Sequence, residues 1–306
     1  RRTRKLAPGT LAVLEDEAQT PLGLVAVNPD SKIIARMLDR DPEAQITQDW
    51  FARRLRRALE MRERLYDAPF YRLVHAESDG LPGVVIDRFG AACVVQPNAA
   101  WAEVHLEQLT AALAEVTGAT VILKNASGRT RGLEGLDDEN QTLLGDTPTA
   151  PLPVQMNGAT YMADLTGGQK TGLFYDQREN HGFAARLTAP GAKVLDVFSH
   201  VGGFGLAMLA KGAAHATCVD GSAAALELAA KGADASGHGD RFTARQGDAF
   251  EVLTALGEEG AQFDVVICDP PAFAPSKPAL EAGLRAYERI VKLGRAIGGT
   301  GGLSGP

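Results

Sequence analysis

Lys193-Val-Leu-Asp-Val-Phe-Ser-His-Val-Gly-Gly-Phe-Gly205 reads as a buried strand that breaks into a glycine-rich turn. Val194, Leu195, Val197 and Phe198 form the apolar run expected of a parallel strand covered on both faces, and Asp196 interrupts it. Gly202, Gly203 and Gly205 let the backbone turn and approach a ligand closely, and Leu206 to Ala210 begins a helix aimed at that ligand. The spacing is not the Gly-x-Gly-x-x-Gly of dinucleotide-binding folds, which sets a nicotinamide oxidoreductase aside. Three further strands end at an acid: Ala216 to Asp220, Phe242 to Asp248, and Phe263 to Asp269. Helical stretches separate them. The pattern predicts an α/β, Rossmann-like open parallel sheet with a crevice at the carboxyl ends of its strands.

Four acids along one crevice suit a ligand with several donors and a positive centre. S-adenosylmethionine fits, with its amino group and sulfonium at Asp196, ribose hydroxyls at Asp220 and the adenine amino group at Asp248. Asp220 follows Asp196 by 24 residues, close to the roughly 20 that separate a nucleotide loop from its ribose acid. Asp269-Pro270-Pro271 would form the wall facing the transferred methyl.

Gln169-Lys-Thr-Gly-Leu-Phe-Tyr-Asp-Gln-Arg-Glu-Asn180, Asp196-Val-Phe-Ser-His-Val-Gly-Gly-Phe204 and Asp269-Pro-Pro-Ala-Phe-Ala-Pro-Ser-Lys277 together resemble the class I methyltransferases. Within that class the chain resembles the RlmI-type bacterial enzymes, which methylate carbon 5 of a cytosine in large-subunit ribosomal RNA. Asn28-Pro-Asp-Ser31 and Ser78 to Arg88 extend the likeness upstream. The resemblance implies a partial, β-rich PUA-like RNA-binding domain over residues 1–44, a small central α+β domain over 45–150 and a cofactor-binding methyltransferase domain over 151–306. It implies a cytoplasmic enzyme whose partner is ribosomal RNA, and it leaves the oligomeric state open, a homodimer included. Lys170, Thr171, Phe174, Asp176, Gln177 and Arg178 become candidate cofactor contacts beside Asp196, Phe198, Gly202, Gly203, Asp220, Asp248, Asp269 and Pro270. Asp269 is also the candidate catalytic group. Capping of the helix near Asn180 is the structural alternative for Asp176 and Arg178.

Methyl transfer from a sulfonium is an in-line displacement in which the protein positions the partners and excludes water, and it calls for no metal. Carbon 5 of a pyrimidine is barely nucleophilic and needs a thiolate adding at carbon 6. The family carries that cysteine beyond the helix that follows Asp-Pro-Pro, here about Pro278 to Leu293, and no such cysteine occurs among these residues. Cys268 alternates away from Asp269 and is a poor substitute. Two alternatives stay open: an exocyclic-amine methyltransferase, although Ala272 separates Pro271 from the aromatic Phe273, and an inactive RNA-binding protein that keeps the cofactor fold. The usual sheet has three more strands, so Val265 to Cys268 is expected to be an open apolar edge prone to pairing between chains.

The composition, 45% hydrophobic and 23% charged over 306 residues, is that of a globular protein with a sizeable core. The cysteines Cys93, Cys218 and Cys268 form no CxxC, so neither a disulfide framework nor a zinc site is indicated, and a reducing compartment follows. The net charge of −7 is unevenly spread. Residues 1–72 hold 14 Lys and Arg against 11 Asp and Glu, whereas the remainder holds 17 against 27. The basic surplus centres on Trp50 to Leu65, an amphipathic helix with Phe51, Leu55, Ala58 and Leu59 on one side. Its arginines, Arg53, Arg54 and Arg57 foremost, are either phosphate contacts or a solvated, ion-paired face. Asn98 is expected to cap a helix that Gly118 ends, and Asn157-Gly158 to turn a hairpin. His75 and His105, without partners at metal spacing, read as structural. Gly167 to Gly172 fails as a phosphate loop because Gln169 precedes Lys170.

Overall fold

The short apolar segments near the start pair as an antiparallel meander of β1 (Thr10–Glu15), β2 (Pro21–Val27) and β3 (Ala35–Asp39). The structure is a computed structural model, and it describes residues 5–167, 172–274 and 276–305. Two units emerge from it, one comprising residues up to Ala150 with Leu165–Tyr175, the other Pro151–Asp164 with residues from Asp176 onward.

In the first unit, α1 (Gln48–Leu65) begins where the Thr47 hydroxyl accepts the Trp50 N–H at 3.3 Å. Its apolar face buries Trp50, Phe51, Ala52, Leu55 and Ala58. A five-stranded sheet follows in the order β4 (Phe70–His75), β5 (Val84–Phe89), β6 (Ala92–Pro97), then β7 and β8. The crossover from β6 runs through α2 (Ala100–Val104) and α3 (Leu106–Thr117) to β7 (Val121–Lys124), which lies parallel to β6. After α4 (Arg129–Leu133), β8 (Gln141–Leu144) returns antiparallel in a stretch that the sequence pattern leaves as an acidic connection. Phe51 stacks on Trp101 at 5.9 Å, and one core joins these side chains to Leu24, Ala26 and Leu38 of the meander and to Leu73, Ile86 and Val95 of the sheet.

Asn98 does not cap as expected. Its N–H stays in the strand connection, donating to Gly83 O at 2.8 Å, and the helix starts after Ala99 with no side-chain cap. The helix is also broken at His105, whereas Gly118 ends it in the left-handed conformation its residue type allows.

The Asn28 to Ser31 turn is tied down by a buried acid. Asn28 Nδ2 donates to Glu134 Oε2 at 2.9 Å, Ser31 Oγ to Glu134 Oε1 at 2.6 Å, and Arg36 Nη2 to the same oxygen at 3.0 Å. Burial alone would raise the Glu134 carboxyl; the bonds from Ser31, Asn28 and Arg36 outweigh it and hold the group below the usual carboxylate range.

The second unit opens with the hairpin β9 (Leu152–Met156) and β10 (Ala159–Ala163), turned at Asn157 and Gly158 with φ of 54° and 80°. Both values suit the mirror-image turn that Asn-Gly favours. Then α5 (Arg178–Leu187), β11 (Lys193–Val197), α6 (Gly203–Ala210), β12 (His215–Asp220), α7 (Ala223–Ala235), β13 (Phe242–Gln246), α8 (Ala249–Glu258), β14 (Phe263–Cys268), α9 (Leu280–Ile297) and β15 (Gly298–Gly305) alternate. The sheet is parallel throughout, in the order β13-β12-β11-β14-β15. From β11 the chain steps outward to β12 and β13, then returns to the other side as β14, so the switch point lies between β11 and β14.

Here the structure corrects the expectation of an open edge at Val265 to Cys268. β15 pairs with β14 there, Val265 opposite Leu303 and Ile267 opposite Gly305. Gly-Gly-Thr-Gly-Gly-Leu-Ser-Gly carries no alternating pattern, so it does not read as a strand; the unpaired backbone groups of β14 recruit it. Among the described residues no helix is long and apolar enough to cross a membrane.

Replacing Glu134 by Gln leaves Arg36 with a weaker partner in a buried place. Glu134→Gln is expected to lower unfolding stability by about 2–4 kcal/mol at pH 7, within the range for breaking a buried pair. Because the folded-state carboxyl titrates low, the wild-type advantage is present above the unfolded pKa and is lost as the pH falls through the folded one. Urea titrations at pH 7 and pH 3.5 should show the two proteins converging at the lower pH; an equal gap at both would refute the charged role.

Candidate active site

The parallel register decides how the four strand-end acids stand. Asp196 lies opposite Cys218, Val197 opposite Val219 and Cys268, and Asp220 opposite Gln246. Asp220 and Asp269 therefore both stand two residues further out than Asp196, and Asp248, beyond the end of β13, further still. Their exposure follows that order. Asp196 is 1% exposed, Asp220 is half-buried, and Asp248 and Asp269 are exposed.

Asp196 is bound into the fold. Its Oδ2 accepts the Phe204 N–H at 3.1 Å and the Gly205 N–H at 2.8 Å, joining β11 to the first turn of α6. Its Oδ1 is buried without a partner, as is Ser199 Oγ in the following loop. Burial pushes the Asp196 carboxyl up to about 7, against the pull of the Gly205 and Phe204 bonds and with help from the charges of Asp269 and Asp220. Asp220 holds the same loop from its other side, Oδ2 accepting the His200 N–H and Oδ1 the Ser222 N–H, both at 2.8 Å. Between them Phe198 and His200 take φ of 64° and 49°, conformations that non-glycine residues adopt only when the surroundings enforce them. Asp248 caps α8, its Oδ1 accepting from Phe250 at 2.9 Å and Glu251 at 3.2 Å. Asp269 continues β14, its N–H donating to Val197 O at 3.3 Å, and partial burial and then the charge of Asp176 raise its carboxyl above the usual value.

The glycines of the turn serve the chain itself. Gly202 caps α6 with φ of 81°, as a left-handed position requires. A Cβ on Gly203 would lie 2.5 Å from His181 Nε2, and one on Gly205 would lie 2.7 Å from Cys218 Sγ. Close approach is a reason for both, and within the protein it is α5 and β12 that come close. His181 had no place among the sequence candidates. It is buried against Phe204 at 4.5 Å, its Nδ1 has no partner, and burial pushes it down to about 4 against the influence of Asp176. It is therefore neutral at pH 7.

Of the upstream candidates, Asp176 is exposed and electrostatically coupled to Asp269, Gln177 Oε1 accepts from Asn180 Nδ2 at 2.7 Å, and the Arg178 carbonyl accepts from Asn157 Nδ2 at 2.9 Å. Neither Asp176 nor Arg178 caps α5, whose N-terminus carries no side-chain cap. Phe174 belongs to the first unit, and Lys170 and Thr171 lie outside the described residues. Pro270 follows Asp269, half-buried.

In the first unit the arginines of α1 divide. Arg54 lies 3.5 Å over the Trp50 ring and bonds to Asp39 Oδ2 at 2.9 Å and to the Leu38 and Gly80 carbonyls, so it is committed to the core. Arg62 makes a two-point pair with Asp79 at 2.8 and 2.7 Å, and Arg56 pairs with Glu115. Arg53 and Arg57 are exposed with no ion pair among the described residues.

The crevice fits a donor-rich adenosyl ligand. Each Asp220 oxygen spends one lone pair on the backbone and keeps another, Asp248 Oδ2 is uncommitted, and the orphaned Asp196 Oδ1 and Ser199 Oγ can take donors. The model of the S-adenosylmethionine-dependent methyltransferase family matches residues 77–302. The chain belongs to that family. A PUA-like domain model matches residues 1–40. Among curated relatives, the ribosomal RNA large subunit methyltransferase I of Shewanella amazonensis is 38% identical over 273 residues, 88% of this chain and 69% of the relative. That of Erwinia tasmaniensis is 34% identical over 303 residues, 98% of this chain and 76% of the relative. Among solved structures, an S-adenosylmethionine-dependent methyltransferase from Streptococcus mutans superposes with a TM-score of 0.80 at 20% identity, covering 97% of this chain and 77% of its own. A methyltransferase crystallised with S-adenosylhomocysteine superposes at 0.81, also at 20% identity, covering 98% and 78%. At that identity the likeness is one of fold.

Two buried groups of this methyltransferase titrate in opposite senses. A raised Asp196 pKa gives stability that is present below the unfolded value near 3.8 and is lost as the pH rises through about 7. A lowered His181 pKa gives stability that is present above 6.5 and is lost as the pH falls through about 4. Asp196→Asn removes the first contribution and should make the urea midpoint climb more steeply from pH 4 to pH 7 than in the wild type, while His181→Gln should make it fall. Parallel profiles would show that neither group titrates as its burial requires.

Proposed function

We propose that this methyltransferase acts on large-subunit ribosomal RNA in the cytoplasm and places the methyl group on carbon 5 of a cytosine. The observation that carries the substrate is the 34–38% identity, over most of the chain, to relatives named ribosomal RNA large subunit methyltransferase I. The cytosine product is what the resemblance of the three blocks, Gln169 to Asn180, Asp196 to Phe204 and Asp269 to Lys277, to the RlmI-type enzymes implies. Residues 1–44 would serve as an RNA-binding module, 45–150 as its connection and 151–306 as the catalytic part, with the exposed Arg53 and Arg57 as phosphate contacts.

S-adenosylmethionine supplies an electrophilic methyl on a sulfonium. Asp220 would accept from the ribose hydroxyls and Asp248 Oδ2 from the adenine amine, while Phe198, Gly202, Gly203 and Pro270 would line the crevice. Asp196 Oδ1 would take the amino group, which would also favour the charged carboxylate. Asp176, Gln177 and Arg178 would close the other side. Asp269, with its carboxyl raised, would exchange a proton with the base.

Carbon 5 chemistry needs a thiolate, and none of the three described thiols supplies one. Burial pushes Cys93 up to about 12 and Cys268 up to about 11, and raises Cys218 well above the ordinary value. A second reading is methylation of an exocyclic amine, which requires no thiolate. Mass spectrometry of nucleosides from unmodified large-subunit RNA incubated with the protein and S-adenosylmethionine separates the two: 5-methylcytidine supports the first, an N-methyl nucleoside the second. The same assay with Asp220→Ala, alongside calorimetry, should show roughly tenfold to hundredfold weaker S-adenosylhomocysteine binding, the cost of charge-assisted bonds worth about 1.5–3 kcal/mol. Unchanged affinity would remove Asp220 from the cofactor site.

For the RNA surface, Arg53→Gln with Arg57→Gln should weaken binding across sequences and flatten the log–log salt slope by about 0.9 per lost contact. Arg54→Gln should instead lower the melting temperature. A salt slope identical to wild type in the double variant would mean that this face of α1 does not meet RNA.

A further inference from the structure

The loop that follows β14 is held from α9. Tyr287 Oη accepts the Phe273 N–H at 3.2 Å and donates to Pro271 O at 3.5 Å, and its ring packs against Phe273 with centroids 4.8 Å apart. One helical turn earlier, at i−4 and so on the same face of α9, stands buried Gly283. A Cβ there would lie 2.7 Å from Ala274 Cβ and 3.0 Å from Ala274 N and Phe273 C. Gly283 and Tyr287 thus form a seat into which the Pro271 to Ala274 backbone fits, glycine giving the closeness and tyrosine the two polar contacts. On the far side Phe273 meets Phe198 at 6.1 Å and Phe250 at 5.9 Å, rings that follow β11 and β13. The seat therefore fixes a loop whose first residue is Asp269 and whose ring, Phe273, packs against Phe198 and Phe250.

We propose that Tyr287 is a positioning residue for methyl transfer: through Pro271 and Phe273 it sets where the Asp269-Pro270-Pro271 wall stands against the acceptor base. The proposal rests on the reading of the chain as an RNA methyltransferase. Tyr287 is half-buried on α9 and is linked to the crevice through this loop, so its effect belongs to the acceptor step and not to cofactor affinity.

The full chain is assayed as wild type, Tyr287→Phe and Gly283→Ala. The first variant deletes only the hydroxyl, and the second displaces the loop by its Cβ with the hydroxyl left in place. Three readouts are taken: hydrogen exchange at the Phe273 amide, S-adenosylhomocysteine affinity by calorimetry, and transfer of tritiated methyl to unmodified large-subunit RNA. Tyr287→Phe should speed exchange at Phe273 by about threefold to tenfold, the yield of one net hydrogen bond. It should also lower kcat for methyl transfer by about tenfold and leave the cofactor Kd within twofold. Gly283→Ala should show the same split with a larger loss. A kcat within twofold of wild type in Tyr287→Phe overturns the proposal, as does a cofactor Kd that worsens in step with kcat. If the wild type binds S-adenosylhomocysteine but methylates no large-subunit RNA, the RNA reading fails. Exchange at Phe273 then decides the seat by itself, unchanged exchange overturning it.

Discussion

One buried carboxylate holds the second unit's centre together. Asp196 Oδ2 accepts from the N–H groups of Phe204 and Gly205, and those are two of the donors that the start of α6 would otherwise leave unpaired. An acid placed one strand position earlier or later would point to the other face of the sheet. The union of β11 with α6 fixes the loop from Phe198 to Gly202, and the loop, through His200 and Ser199, is what Asp220 and β12 grip. Strain at Phe198 and His200 persists because both ends of the loop are anchored. Burial leaves the carboxyl titrating near neutrality, so the group that secures the turn also responds to whatever charge stands before it.

The fold was legible because its signals are local. Apolar runs that stop at Asp196, Asp220, Asp248 and Asp269 announce parallel strands, and Asn157-Gly158 announces a hairpin. The site was legible in outline only. Sequence order cannot say that Asp196 sits deeper than its neighbours, since that depends on register between strands. Nor can it say that Gly203 and Gly205 face His181 and Cys218, because those contacts join residues far apart in the chain. Positive φ at Phe198 and His200 leaves no mark on residue types that seldom adopt it. The helix of arginines shows the same limit. Composition makes Arg53, Arg54 and Arg57 alike, and only the packing of Trp50 and the position of Asp39 remove Arg54 from the group.

β15 illustrates a different boundary between sequence and structure. A strand is usually read from side chains, but pairing is made by the backbone. Gly298 to Gly305 offers almost no side chains to read, yet supplies the N–H and C=O groups that β14 lacks on that edge. Burial at β14 comes from β11, α8 and α9, whose Leu195, Leu253 and Ile290 pack around Val266. Hydrogen bonding there comes from β15. The two needs of a central strand are met by different segments, and only the first writes a hydrophobic pattern.

The same separation governs the crevice. Asp196 Oδ2 and the N–H of Gly205 are bonded to each other, whereas Asp196 Oδ1 and Ser199 Oγ are buried and unmatched. A buried polar atom without a partner costs on the order of 1–3 kcal/mol, and a fold with no use for a ligand gains by replacing it. Two such atoms stand here, at the end of β11 and in the loop after it, beside a switch point where parallel sheets bind ligands. Under the proposed reading, unmatched acceptors in that place would turn part of the folding cost into affinity, because a ligand carrying donors would satisfy them. Specificity under that reading would rest on which donors are spaced to reach both the deep acceptor on Asp196 and the outer carboxylate of Asp220.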